Sequence, residues 1–144
     1  MNPLAPVLQQ EAQALLNTAA QLRSDQAEAA LDLLQHCSEQ GAKLVVTGVG
    51  KSGIVARKIA ATFTSIGLMA LYLNPLDALH GDLGVVGADD VVLLLSNSGE
   101  SSELLALLPH LHRRGSACIA LTGRLDSSLA RGAQVVPDGS VDRE

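Results

Sequence analysis

The fold is decided between residues 44 and 67. Leu44-Val45-Val46-Thr47-Gly48 is a short apolar run halted by glycine, and Val49-Gly50-Lys51-Ser52-Gly53 is a glycine-rich turn. Apolar residues then recur at helical spacing from about Ile54 to Ile66, ending at Gly67. The alternation repeats downstream. Met69 to Leu73 is strand-like, Val91 to Leu95 is a second fully apolar run, and Glu100 to Arg114 is a helix closed by Gly115. Ala117 to Leu121 reads as a strand, Asp126 to Ala130 as a helical turn or two, and Gln134 to Val136 as a last strand. Fully apolar strands separated by helices predict a parallel sheet covered on both faces and built from right-handed βαβ units. The expected fold is α/β, a doubly wound three-layer αβα sandwich. Pro109 predicts a kink or an early end of its helix.

Two helices precede this unit. Asn2-Pro3 reads as a cap and first-turn pair for a helix running through Leu15 and Leu16. Ser24 reads as the cap of a second helix, carrying Ala27, Ala30, Leu31 and Leu34 and closing near Gly41. Residues 1–41 are thus an N-terminal helical segment and 42–144 the α/β domain.

Composition narrows the function. Over 144 residues, 47% are apolar and 17% charged, which suits one globular domain. Tyr72 and Phe63 are the only aromatics and net charge is −5, so stacked bases and a phosphate backbone are poor partners. Cys37 and Cys118 are far apart and read as buried free thiols. No basic stretch and apolar run marks a leader at Met1 to Val7, and no apolar run is long enough to span a membrane. A cytoplasmic protein without nucleic-acid or membrane partners is expected.

In such sheets ligands bind beyond the carboxyl ends of strands. Three loops there are unusual. Gly48-Val49-Gly50-Lys51-Ser52-Gly53 matches neither the P-loop, whose first glycine would have to be at Val45, nor fully the dinucleotide fingerprint, whose acidic residue is replaced by Asn74. Both patterns share backbone N–H groups that meet an anion at a helix N-terminus, and Lys51 adds a charge. Ser96-Asn97-Ser98-Gly99-Glu100-Ser101-Ser102-Glu103 combines hydroxyls with a helix start, as a neutral phosphate cradle would. Its glutamates must point away from a phosphate. Glu100 reads as a capping partner of Asn97, and Glu103 as the better candidate for chemistry. The third loop is Leu79-His80-Gly81-Asp82-Leu83-Gly84, either a solvated turn or part of a site. His36, His110 and His112 lack metal spacing.

Taken together, these three loops, with Arg57-Lys58-Ile59-Ala60-Ala61-Thr62-Phe63 and Leu121-Thr122-Gly123-Arg124, resemble the SIS (sugar isomerase) domain of D-arabinose-5-phosphate isomerases from about Lys43 onward. The resemblance implies interconversion of arabinose 5-phosphate and ribulose 5-phosphate, feeding the octulosonate sugar of lipopolysaccharide. It also implies a homo-oligomer, tetramer or dimer, and no cofactor. By position, Lys51, Glu103 and Glu144 resemble the family's catalytic residues. Gly50, Ser52, Ser96, Asn97, Ser98, Ser101 and Ser102 resemble its substrate and phosphate site. His80 resembles a substrate-site residue at which a metal would inhibit; no metal is required. Measured against the resemblance, the SIS domain is expected to be incomplete at its C-terminus and the usual CBS pair absent.

The implied chemistry takes a proton from the carbon beside the carbonyl and returns it to the neighbouring carbon through a cis-enediol. Glu103 or Glu144 would be the base, and Lys51 would stabilise the enediolate oxygen or the phosphate. Three alternatives stay open: a sugar-phosphate sensor without catalysis, an SIS enzyme acting on another phosphosugar, and a dinucleotide-binding domain.

Overall fold

A computed structural model describes residues 2–142. In chain order the elements are α1 (Ala5–Gln21), α2 (Ser24–Glu39), β1 (Leu44–Gly48), α3 (Lys51–Ser65), β2 (Ala70–Tyr72) and α4 (Pro75–Leu79). A 3-10 turn at Asp82–Val85 leads to β3 (Val91–Ser96), α5 (Ser102–Arg114), β4 (Ala117–Thr122) and α6 (Ser128–Gly132). The four strands are parallel in the order β2-β1-β3-β4, the sheet predicted from the alternating pattern.

Side-chain alternation divides the core into two layers. Val45, Val92, Leu94, Cys118 and Ala120 face one way, against Ala78 of α4, Leu104, Leu107, Leu108 and Leu111 of α5, and Leu129 of α6. Leu44, Val46, Val91, Leu95 and Ile119 face the other way, against Cys37 of α2 and Ala56 and Ala60 of α3. Alanines on α3 let that helix lie close to the sheet, which is why a core almost without aromatics still closes. At the amino ends of the strands, Asp90 accepts from the Lys43 backbone N–H at 3.0 Å, the Lys43 Nζ at 2.5 Å and the Gly87 N–H at 2.7 Å. That clamp fixes the β1–β3 edge opposite the ligand end.

Several boundaries differ from the sequence reading, each for a local reason. Asn2 Oδ1 accepts from the Leu4 N–H at 3.0 Å ahead of α1, and Pro6, not Pro3, occupies the helix's first turn. Ser24 is the first residue of α2 rather than its cap, while Arg23 pairs with Asp25 at 2.7 Å. Helix α3 starts at Lys51, three residues earlier than its apolar pattern, because the glycines allow it to begin directly at the strand end. Helix α5 starts at Ser102 and runs through Pro109 to Arg114 without an early end. Pro109 is exposed, and four buried leucines hold the rest of the helix on the sheet. Helix α6 starts at Ser128, capped by the Ser127 hydroxyl on the Ala130 N–H at 3.3 Å.

The expected last strand, Gln134 to Val136, is reduced to isolated bridges, Ile119 to Val135 and Thr122 to Asp138. Pro137 has no N–H to donate, and Gln134 spends its side chain on the Cys118 N–H at 2.7 Å.

Candidate functional site

The register sets the site. Gly48 lies beside Leu95 and Ser96 beside Thr122, so β1, β3 and β4 end together and their loops gather at one edge. Between them is a cleft of about 300 Å³. Its polar wall is Lys51, Ser52, Ser96, Asn97 and Thr122; Val55, Leu95 and Leu121 form the apolar wall, and Gly123 and Gly139 leave room.

The first turn is shaped by contact. Gly50 has φ 60°, a left-handed value suited to glycine, and caps α3 without a side chain. The Tyr72 hydroxyl donates to the Gly48 carbonyl at 3.2 Å, and the Arg57 guanidinium sits 4.2 Å over the Tyr72 ring. The Gly53 N–H turns back to the Gly50 carbonyl at 3.1 Å, while the Lys51 and Ser52 N–H groups at the helix start have no acceptor a turn earlier and present a partial positive charge beside the exposed Lys51 ammonium. This end of the cleft suits an anion.

The serine loop divides its hydroxyls between folding and display. Buried Ser96 accepts from the Gly99 N–H at 3.0 Å and shares a 2.8 Å hydrogen bond with Ser101. Ser98 accepts from the Glu100 N–H at 3.2 Å, and Ser102 donates to Glu103 at 3.1 Å. Asn97 is exposed on the cleft wall. The expected pairing of Glu100 with Asn97 does not form: Glu100 accepts from the Ser128 N–H at 2.8 Å and caps α6 instead. The Ser128 hydroxyl, and after it the Ser128 N–H, hold the Glu100 carboxyl below the usual carboxylate range. Glu100 is thereby turned away from the anion end, as a phosphate site in this loop requires.

Of the residues singled out in the sequence, Lys51, Ser52, Ser96 and Asn97 are brought together. Gly50 caps α3, Ser98 and Ser101 lie in the turn before α5, and Ser102 opens α5; these four border the cleft without lining it. Glu103 lies half-buried in the first turn of α5, also outside the lining. His80 is exposed at the end of α4. The residues after it, Gly81, Asp82, Gly84 and Val85, border a different hollow of about 470 Å³ with Leu71, Tyr72 and Leu73 at the β2 edge. Glu144 lies outside the described residues. Among the described residues no group of three or more His, Cys, Asp and Glu side chains could hold a metal ion, and no helix is long and apolar enough to cross a membrane. A hollow of about 160 Å³ lies between α1 and residues 140–142, with Gln10, Gln13, Asn17 and Gln21 on its α1 side.

The end of β4 supplies Thr122 and the loop after it Gly123, neither of which belongs to the three loops singled out in the sequence. The rule that ligands sit at carboxyl ends of strands points to it as well, since Leu121 ends an apolar run as Leu95 does.

Residues 36–144 match the family described as SIS domain. The chain is 44% identical over 115 residues to arabinose 5-phosphate isomerase GutQ of Salmonella typhimurium, covering 80% of this chain and 35% of that protein. It is 54% identical over 93 residues to arabinose 5-phosphate isomerase KdsD of Escherichia coli, covering 65% of this chain and 28% of that protein. It therefore spans about a third of the length of these relatives. The solved structure of c3406 from E. coli CFT073 in complex with A5P superposes with a TM-score of 0.79 at 40% identity, covering all of this chain and 78% of that one.

Proposed function

Since this chain belongs to the SIS domain family, we propose that it is the phosphosugar-binding domain of an aldose–ketose isomerase interconverting D-arabinose 5-phosphate and D-ribulose 5-phosphate. The observation that carries this reading is the cleft itself. Lys51 and the start of α3 face Ser96, Asn97 and Thr122 across a space of about 300 Å³, enough for a pentose phosphate. Relatives named arabinose 5-phosphate isomerases, and a 40% identical structure in complex with A5P, support the choice of sugar.

In this reading the phosphate lies at the α3 end and serine loop, held by Ser52, Ser96, Asn97, Ser98, Ser101 and Ser102. Lys51 faces the phosphate or the enediolate oxygen. Glu103 or Glu144 moves the proton between the two carbons; the shuttle needs no cofactor. Residues 42–144 form the ligand-binding domain and residues 1–41 an N-terminal helical segment, whose α2 packs on the sheet through Cys37. Helix α1 supports the proposal of a homo-oligomer. Helix α1 buries none of its residues, while Leu8 and Leu15 on it and Ile54 on α3 are 63%, 73% and 69% exposed. A second copy would cover such apolar faces. Two free thiols, Cys37 and Cys118, support placement in the reducing cytoplasm. The product would there feed octulosonate synthesis.

The test is ligand-induced stabilisation of this chain by arabinose 5-phosphate, ribulose 5-phosphate, glucosamine 6-phosphate and NAD. At a hundred times its dissociation constant, a ligand adds about 2.7 kcal/mol. A shift with the pentose phosphates that Lys51→Ala removes is the expected result. A shift with NAD alone would overturn the reading in favour of a dinucleotide domain, and one with the hexosamine phosphate alone would change the substrate.

A further inference from the structure

We propose that Thr122, which the sequence did not single out for the site, is the positioning residue that fixes two walls of the cleft. The inference rests on the cleft being the phosphosugar site. Thr122 ends β4 opposite Ser96 and is 2% exposed, so its hydroxyl is committed to the protein interior. That hydroxyl donates to the Asn97 carbonyl at 3.3 Å and accepts from the Arg124 N–H at 3.1 Å. The same Asn97 carbonyl accepts from the Gly123 N–H at 3.0 Å. On the other side, the Thr122 carbonyl accepts from the Gly139 N–H at 3.0 Å. One residue thus ties the serine loop through Asn97 and the segment after α6 through Gly139, and both line the cleft.

Sterics close the arrangement. A Cβ at Gly123 would stand 2.3 Å from Asn97 Oδ1, and one at Gly99 would stand 2.9 Å from Thr122 Oγ1. Only glycine at 123 leaves room for the Asn97 side chain, and only glycine at 99 leaves room for the Thr122 hydroxyl, so the serine loop and the end of β4 approach closely with the Asn97 carbonyl held between them. A loop whose polar groups are held before the ligand arrives loses less conformational freedom on binding. Thr122 touches no reacting atom in this account; it acts through Asn97.

The experiment uses Thr122→Val, which keeps the shape and removes the hydroxyl, Thr122→Ser, which keeps the hydroxyl, and Asn97→Ala, alone and combined with Thr122→Val. Binding of arabinose 5-phosphate is measured by calorimetry, and amide hydrogen exchange of residues 97–101 is followed without ligand. Loss of the hydroxyl should weaken binding about tenfold, as expected for one hydrogen bond that positions a ligand group. Thr122→Ser should recover binding to within about threefold of the parent, within the spread of mild substitutions. The combined variant should be scarcely weaker than Asn97→Ala, since Asn97→Ala keeps the backbone carbonyl that Thr122 holds but removes the side chain whose placement that hold serves. Additive losses, or an Asn97→Ala protein that binds like the parent, would overturn the proposal. Exchange in the serine loop should rise in Thr122→Val and not in Thr122→Ser. Unchanged exchange would overturn the clamp whether or not a ligand binds. Binding of none of the phosphosugars by the parent would instead overturn the functional reading and leave the clamp to be judged by exchange.

Discussion

Gly53 is pressed against the carbonyl of Gly48: a Cβ on Gly53 would stand 2.8 Å from that oxygen and 3.0 Å from the Tyr72 hydroxyl. This contact lets α3 begin at the end of β1 and brings Lys51 and Ser52 to the cleft. Gly53→Ala must push the helix start off the strand, and overpacking of this kind costs about 1–3 kcal/mol. Urea unfolding should show that loss, together with weaker binding of arabinose 5-phosphate. A variant as stable as the parent would mean that the turn relaxes freely.

Ser96 is 4% exposed, and its hydroxyl serves both the Gly99 N–H and Ser101. Ser96→Ala leaves the buried Gly99 N–H without its acceptor and half-buried Ser101 without its partner, at a cost of about 1–3 kcal/mol. Ser98 is exposed, so Ser98→Ala should change stability by less than about 0.5 kcal/mol. Denaturation midpoints of the two variants separate the folding serine from the displayed one.

Acid should loosen the strands at their amino ends. Burial pushes the Asp90 carboxyl up, but the Lys43 ammonium and the Gly87 and Lys43 N–H groups outweigh it and hold the carboxyl below its usual range. A carboxyl that is more acidic folded than unfolded adds stability that is complete above the unfolded value, near pH 4. That stability is lost as pH falls through the lowered folded value. Asp90→Asn leaves Lys43 facing no carboxylate and should cost about 3 kcal/mol at neutral pH. The acid limb of stability against pH should also flatten; an unchanged limb would assign it to other carboxylates.

Burial raises the Cys118 thiol to about 11 and pushes the Cys37 thiol up as well. At pH 8 neither carries much thiolate, and both side chains are buried. A disulfide reagent should leave the native protein unlabelled over the time in which it fully labels the chain in guanidinium. Fast native labelling of either thiol would reveal local opening of its layer.

In a protein that turns over pentose phosphates, Glu103→Gln should stop solvent deuterium entering the carbon beside the carbonyl. Affinity should stay within about threefold, because only the proton shuttle is removed. Exchange at the parent rate would move that role to another carboxylate, with Glu144 the next to test.

Much of this was legible because it is local. The apolar runs at Leu44, Val91 and Ala117 carry the period of strands covered on both faces, and helices lie between them. The glycines around Lys51 announce a tight entry into a helix. Boundaries were less legible where a single contact overrides the pattern. Glycine moves the start of α3 back to Lys51. Pro137 stops Gln134 to Val136 from forming a strand.

The sequence by itself determined a parallel α/β sheet, a glycine turn bearing Lys51 and a serine-rich turn, since these follow from residues adjacent in the chain. Only the tertiary structure decided which loops meet. The order β2-β1-β3-β4 joins the loops after β1, β3 and β4 in one cleft and leaves His80 by another hollow at the β2 edge. It also sent Glu100 to Ser128, 28 residues away, and gave Thr122 hold of Asn97, 25 residues away. Short-range preferences specify each strand and turn, but partners distant in sequence are chosen by the packing of both core layers at once.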